Sequence, residues 1–198
     1  MTNPLETVRY KIRKPITLIG MMGVGKTRLG VELAKRLGMV FIDSDTEIER
    51  AAGCTIAEIF EQFGEQAFRD GERRVIRRLI EKSKMPKVIA TGGGAITTPE
   101  TLERLHGKSH CLWLCARVET LVDRTARNAR RPLLNNGDPA QILTDLLEKR
   151  RDLYNAASHA AIQVDDQPLN QTVDLMLEAL SALILQEDDA RQPKEETA

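Results

Sequence analysis

Gly20-Met21-Met22-Gly23-Val24-Gly25-Lys26-Thr27 stands between the apolar run Ile16-Thr17-Leu18-Ile19 and a segment in which Leu29, Leu33 and Leu37 recur at helical spacing. It satisfies the G-x-x-x-x-G-K-[ST] pattern in its required context of strand, loop and helix. Glycine at Gly20 and Gly25 lets the backbone turn sharply and aim several N–H groups at a phosphate. Lys26 reaches the β- and γ-phosphates, and Thr27 offers a hydroxyl to Mg²⁺. The chain is therefore expected to hold a nucleoside triphosphate.

The apolar runs 39–42, 88–91, 111–115 and 160–164 join 16–19 as five predicted strands separated by helical patterns. Strands alternating with helices predict an α/β chain with a parallel sheet, and near-continuous apolar strands predict helices on both of its faces. With 198 residues the chain fits a single domain, residues 1–198, large enough to bury a core without disulfides or a structural metal. Residues 1–13, without hydrophobic periodicity, and 187–198, mostly polar or charged, are expected to be flexible ends. Lys+Arg and Asp+Glu both total 29, so net charge draws the chain to neither nucleic acid nor an anionic membrane, and small-molecule partners are expected. No apolar stretch approaches the roughly 18 residues that span a bilayer, and the N-terminus lacks the apolar core of a secretory signal. Cys54, Cys111 and Cys115 form no C-x-x-C pair and read as core thiols of a reducing compartment. A cytoplasmic monomer is the expectation.

Asp43-Ser44-Asp45 follows the second predicted strand. In extended backbone both carboxylates project to one side, roughly 7 Å apart. Beside the phosphate loop, one acid can serve hydrated Mg²⁺ while the other accepts a hydroxyl proton. The structural alternative is a helix cap before Thr46-Glu47-Ile48, supplied by Ser44 or Asp45. In a helix over 56–80, Val75, Ile76, Leu79 and Ile80 form an apolar stripe that also takes in Arg69 and Glu72, whereas Asp70, Arg74, Arg77 and Arg78 project elsewhere. Charges on an inward face require pairing, so Arg69 is expected to pair with Glu72 and keep donors for an anionic ligand, with an ordinary surface pair as the alternative. Gly71 in this helix costs about 1 kcal/mol relative to alanine and marks either a close packing contact or a bend.

Gly92-Gly93-Gly94 follows the third strand and permits a ligand to approach the backbone closely, beyond what a simple turn needs. Arg124, Arg127, Arg130 and Arg131, followed by Pro132 and the turn signal Asn135-Asn136-Gly137-Asp138, read as a basic flap over a triphosphate, or as a solvated surface. In the helix over 139–157, Arg150 shares a face with Leu143, Leu146 and Leu153. It either snorkels to solvent or joins Arg69 in a clamp on a substrate carboxylate. His106, His110 and His159 lack metal-ligand spacing and receive no role, and no Ser-His-Asp or H-E-x-x-H pattern is visible.

Taken together, Gly20 to Thr27, Asp43-Ser44-Asp45, Gly64-Glu65-Gln66-Ala67-Phe68-Arg69 with Glu72, Gly92-Gly93-Gly94-Ala95, Arg131-Pro132-Leu133-Leu134 and Lys149-Arg150 closely resemble the shikimate kinase family over about residues 14–185. The resemblance implies transfer of the γ-phosphate of ATP to the 3-hydroxyl of shikimate, with Mg²⁺, on the pathway to aromatic amino acids. It implies a P-loop kinase fold, a three-layer α/β/α sandwich around a five-stranded parallel sheet of order 2-3-1-4-5. It implies a shikimate-binding subdomain at about 44–72 and a lid at about 126–138. By the same resemblance Gly23, Val24, Gly25, Lys26, Thr27, Arg28, Arg124, Arg131 and Gln167 would bind ATP, and Thr27 and Asp43 would serve the metal. Asp45, Arg69, Gly92, Gly93, Gly94 and Arg150 would bind shikimate, with Asp45, Lys26 and Arg131 as the catalytic group. The adenine-lining segment departs from the family's often basic composition, reading Asp165-Asp166-Gln167-Pro168 here. The nearest alternative is another small-metabolite kinase, acting on gluconate or a nucleoside monophosphate. A GTP-dependent switch lacks support because no N-K-x-D motif is present, and a noncatalytic nucleotide- or nucleic-acid-binding module would have to rest on the arginine flap alone.

Overall fold

The computed structural model describes residues 3–82, 85–126, 137–165 and 167–191. Five parallel strands, β1 (Ile16–Ile19), β2 (Phe41–Asp43), β3 (Val88–Ala90), β4 (His110–Cys115) and β5 (Ala160–Gln163), form one sheet in the order β2-β3-β1-β4-β5. The register places Leu18 against both Ala90 and Leu112, so the phosphate-loop strand is the centre of the sheet. Its four residues are all buried, as expected of a strand covered on both faces. The fold is the P-loop kinase α/β/α arrangement expected from the sequence.

The connecting helices are α2 (Lys26–Leu37), α3 (Ser44–Ala52), α4 (Ile56–Glu81), α5 (Pro99–Lys108), α6 (Val118–Ala126) and α7 (Pro139–Ala157). Helix α2 buries Leu29, Leu33 and Leu37 and stops at Gly38, whose left-handed conformation sends its N–H back to Ala34 and Lys35. Helix α4 opens with a capping box, Thr55 accepting from Glu58 N while the Glu58 side chain reaches back to Thr55 N. Gly64 breaks its regular conformation with φ 79° and ψ 175°. The bend therefore belongs to Gly64, and Gly71 is ordinary helix with nothing within 4 Å of where its Cβ would stand, which removes both readings offered for it.

The expectation of flexible ends is corrected over the described residues. Residues Pro4–Lys11 form α1, capped by Asn3, and Leu169–Arg191 form α8, which packs against it. Val8 and Ile12 are buried, and Lys11 and Lys14 pair with Asp188 and Glu187 at 3.1 and 2.8 Å. Leu5, Val8 and Ile12 make an i, i+3, i+7 stripe too short to stand out among the surrounding charges. Residues 192–198 lie outside the described residues. Among those described, no helix is long and apolar enough to cross a membrane.

Candidate active site

The carboxyl ends of β1, β2 and β3 deliver the phosphate loop, the acidic pair and the glycine triplet to one edge of the sheet, where α/β folds place their ligands. The three loop glycines Gly20, Gly23 and Gly25 take φ of 139°, 81° and 102°, values that L side chains rarely adopt. Lys26 Nζ donates to the carbonyls of Gly20 and Met21 at 2.8 and 3.0 Å, arching over the loop whose phosphate it is expected to meet.

Asp43 has two tasks. One oxygen caps α3 by accepting from Asp45 N at 3.0 Å, and the other accepts from the Thr27 hydroxyl, also at 3.0 Å. The cap is thus made by Asp43 itself and not by Ser44 or Asp45. Because β2 ends at Asp43 and α3 begins at Ser44, only Asp43 is in extended backbone, and helical rotation brings Asp45 to the cleft. The Thr27 and Asp43 oxygens are hard donors at about the spacing of neighbouring ligands on an octahedral Mg²⁺, roughly 2.9 Å for bonds of 2.0–2.1 Å. These two residues fit the ion, which ordinarily retains several waters.

Beyond the phosphate loop the walls change to acids and arginines. Arg69 donates to Glu72 Oε2 at 2.8 Å and to Glu65 Oε1 at 3.2 Å, so the predicted inward pair forms and Glu72, 1% exposed, is not left as an isolated charge. Asp45 Oδ1 and Glu72 Oε1 are both buried without a hydrogen-bond partner among the described residues. A Cβ on Gly92 would come within 2.9 and 3.0 Å of these same two oxygens, and one on Gly94 within 2.7 Å of the Arg69 guanidinium. Glycine at Gly92 and Gly94 leaves room for these side chains to close on the backbone. Burial, then the Asp43 charge, raises the Asp45 carboxyl above its ordinary value, and burial raises Glu72 against the opposing pull of Arg69. Both carboxylates belong to residues that line the cleft, and a carboxylate oxygen is suited to accept from a substrate hydroxyl.

Arg150 enters from α7 and donates to the Gly93 carbonyl at 3.3 Å, so it faces the site and does not snorkel outward. Gly23, Gly25, Lys26, Thr27, Arg28, Asp43, Asp45, Arg69, Gly92, Gly93, Gly94 and Arg150 line one cleft of about 590 Å³, joined by Ile56, Phe60 and Phe68 as an apolar side. Three other predicted positions stand outside it. Val24 is buried and offers its carbonyl to Arg124, which also binds the Val164 carbonyl, both at 3.2 Å, and so ties the phosphate loop to the segment after β5. Gln167 is exposed ahead of α8. Asp165 accepts from Arg117 N with both oxygens at 3.1 Å, which explains an acid at that position as a cap on α6. Arg131 and most of the expected lid, 127–136, lie outside the described residues. The sequence reading passed over Tyr154, whose buried hydroxyl donates to Gly93 O at 2.7 Å, because a tyrosine among leucines looks like ordinary core.

A phosphate cradle, a metal-competent oxygen pair, a partly buried acid and two arginines in one cleft have the parts needed to move a phosphoryl group onto a small anionic alcohol. Comparisons with known proteins agree. The family model for shikimate kinase matches residues 22–181. A shikimate kinase of Caulobacter vibrioides is 46% identical over 167 residues, covering 84% of this chain and 82% of the relative. The solved structure of shikimate kinase from Acinetobacter baumannii in complex with shikimate superposes with a TM-score of 0.79 at 39% identity, covering 91% of this chain and 98% of that one. A gluconokinase structure from Sinorhizobium meliloti, 18% identical with a TM-score of 0.56 and covering 92% and 99%, shares the fold alone.

Proposed function

The chain belongs to the shikimate kinase family, and we propose that it passes the γ-phosphoryl group of ATP to the 3-hydroxyl of shikimate in the cleft between the phosphate loop and α4. The observation that carries the reading is the convergence of Asp45, with its unpaired buried oxygen, and Arg69 and Arg150 on the cleft that holds Lys26 and Thr27. Neither a bare nucleotide switch nor a binding module has use for that acceptor half.

Shikimate is held by its carboxylate between Arg69 and Arg150, the bidentate geometry of guanidinium giving both affinity and orientation. Glu72 aims Arg69, and its free oxygen, like that of Asp45, accepts from a ring hydroxyl. Gly92, Gly93 and Gly94 let the sugar-like ring lie against main chain. Asp45 orients the 3-hydroxyl and takes its proton as the oxygen attacks phosphorus in line, while the bond from phosphorus to the bridging oxygen breaks and ADP leaves with its electron pair. Lys26 exchanges the Gly20 and Met21 carbonyls for phosphate oxygens, and Arg131 adds positive charge from the lid at about 126–138. Thr27 and Asp43 would hold Mg²⁺, which when bound would supply positive charge against the phosphates. Gly23, Val24, Gly25 and Arg28 complete the nucleotide half through the loop, with Arg124 and Gln167 toward adenine. The working unit is a cytoplasmic monomer without nucleic-acid or membrane partners.

Product analysis tests this. Phosphorus NMR of the reaction mixture should show a monoester coupled to the ring proton at C3. Phosphate on a different hydroxyl, or free inorganic phosphate in place of an ester, would refute the assignment of Asp45 to the 3-hydroxyl.

A further inference from the structure

Tyr154 lies one turn after Arg150 on α7 and is fully buried, its ring stacked on Trp113 with centroids 5.5 Å apart. Its hydroxyl donates to the Gly93 carbonyl at 2.7 Å and lies 3.7 Å from Met21 Sδ in the phosphate loop. The same carbonyl receives the Arg150 guanidinium at 3.3 Å. On its other side Gly93 is hemmed in by that loop, since a Cβ there would stand 3.3 Å from Gly20 O and 3.5 Å from Met22 N. One phenol therefore joins the helix bearing an acceptor arginine, the glycine triplet and the phosphate loop.

The two donors on Gly93 O are unequal. The neutral hydroxyl takes the short bond, whereas the charged guanidinium, ordinarily the stronger donor, is held at the longer distance. Burial pushes the Tyr154 phenol up to about 12, against the Arg150 charge and a hydrogen bond from the Arg150 guanidinium to the phenol oxygen, so the hydroxyl keeps its proton and donates to Gly93 O. If the hydroxyl were removed, Arg150 would be the remaining donor and would close onto the carbonyl, turning away from the cleft. We infer that Tyr154 is a positioning residue: by satisfying Gly93 O it keeps Arg150 available to the carboxylate of the acceptor. This rests on the reading of Arg150 as part of the carboxylate clamp.

The experiment begins with wild type and Arg150→Met. If wild type shows no shikimate-dependent ADP release, or Arg150→Met leaves the shikimate KM unchanged, the functional reading fails and the inference falls with it. Given both, Tyr154→Phe, which keeps the ring and loses the hydroxyl, should raise the shikimate KM roughly threefold to tenfold, the effect of one hydrogen bond, with the ATP KM within about twofold. Tyr154→Phe/Arg150→Met should be little worse than Arg150→Met alone, because both changes act through one guanidinium. A shikimate KM that does not change, equal rises in both KM values, or effects that multiply would overturn the inference. A second readout uses the intact side chain. The chain has two tyrosines, and Tyr10 is 70% exposed, so 3-fluorotyrosine labelling gives one solvent-facing and one buried fluorine resonance. The buried resonance should move when shikimate is added without nucleotide, and a stationary one would also overturn the inference, whether or not the Phe variant folds.

Discussion

The acceptor roles proposed for Asp45 and Arg69 each make a separable prediction. Asp45→Asn keeps the shape and removes the base, so turnover should fall about 10²- to 10⁴-fold while the ATP KM changes little. Steady-state kinetics in both substrates checks this, and near-normal turnover would remove Asp45 from catalysis. Arg69→Ala should raise the shikimate KM by roughly tenfold or more, a charge-assisted bond being worth about 1.5–3 kcal/mol. It should also lower the melting temperature, since Glu72 would be left buried without its 2.8 Å partner. An unchanged KM would dismiss the clamp. Arg69 and Glu72 were legible in the sequence as charges within an apolar stripe. Tyr154 was not, because a hydrogen bond between residues 61 positions apart leaves no periodic trace.

Among the elements, α4 shows what periodicity hides. Its segment before Gly64 contributes Ile56 and Phe60 to the cleft and its segment after contributes Phe68, Arg69 and Glu72, so one helix borders the acceptor from two directions only because it bends. Gly64→Ala should cost about 1–3 kcal/mol, as φ 79° with ψ 175° is essentially closed to a residue with Cβ. Gly71→Ala, in regular helix with open space around it, should stabilise by up to about 1 kcal/mol. Paired denaturant titrations check this, and equal responses would mean that the kink is not what Gly64 provides. The sequence projection treated 56–80 as one regular helix, which holds only after the kink. Strand β2 shows a smaller displacement: predicted at 39–42, it begins at Phe41, because Met39 N still bonds Ala34 O as the chain leaves α2. Helix α7 matches its expected 139–157 because Asp138 and Pro139 supply an unambiguous start.

For the whole molecule, the parallel order β2-β3-β1-β4-β5 was accessible from the sequence through the resemblance, since strand order is not encoded in local pattern. The docking of α1 on α8 was not foreseen, and it brings a titratable cluster with it. His110, 2% exposed, lies 3.9 Å from Glu187 of α8, and His159 accepts from Cys111 N and stacks on His106 with centroids 4.7 Å apart. Burial outweighs Glu187 and lowers His110 to about 4, and burial followed by the His106 charge lowers His159. A folded-state value below the unfolded one contributes stability that is present above about pH 6.5 and lost as pH falls toward the folded value. His110 alone should cost on the order of 2 kcal/mol between pH 7.5 and pH 5. Melting temperatures across that range should fall in wild type and fall less in His110→Asn, whereas parallel curves would assign the acid sensitivity elsewhere.

The acceptor half of the cleft is proposed to take a hydroxylated carboxylate of shikimate's shape, served by the phosphate loop. The measurement that bears on this is acceptor-dependent ADP release, compared at equal concentrations of shikimate, gluconate and nucleoside monophosphates with saturating ATP and Mg²⁺. Rapid ADP release with shikimate and release near the no-acceptor background with the others is the predicted result. Turnover with gluconate or a nucleoside monophosphate equal to or above that with shikimate would contradict it.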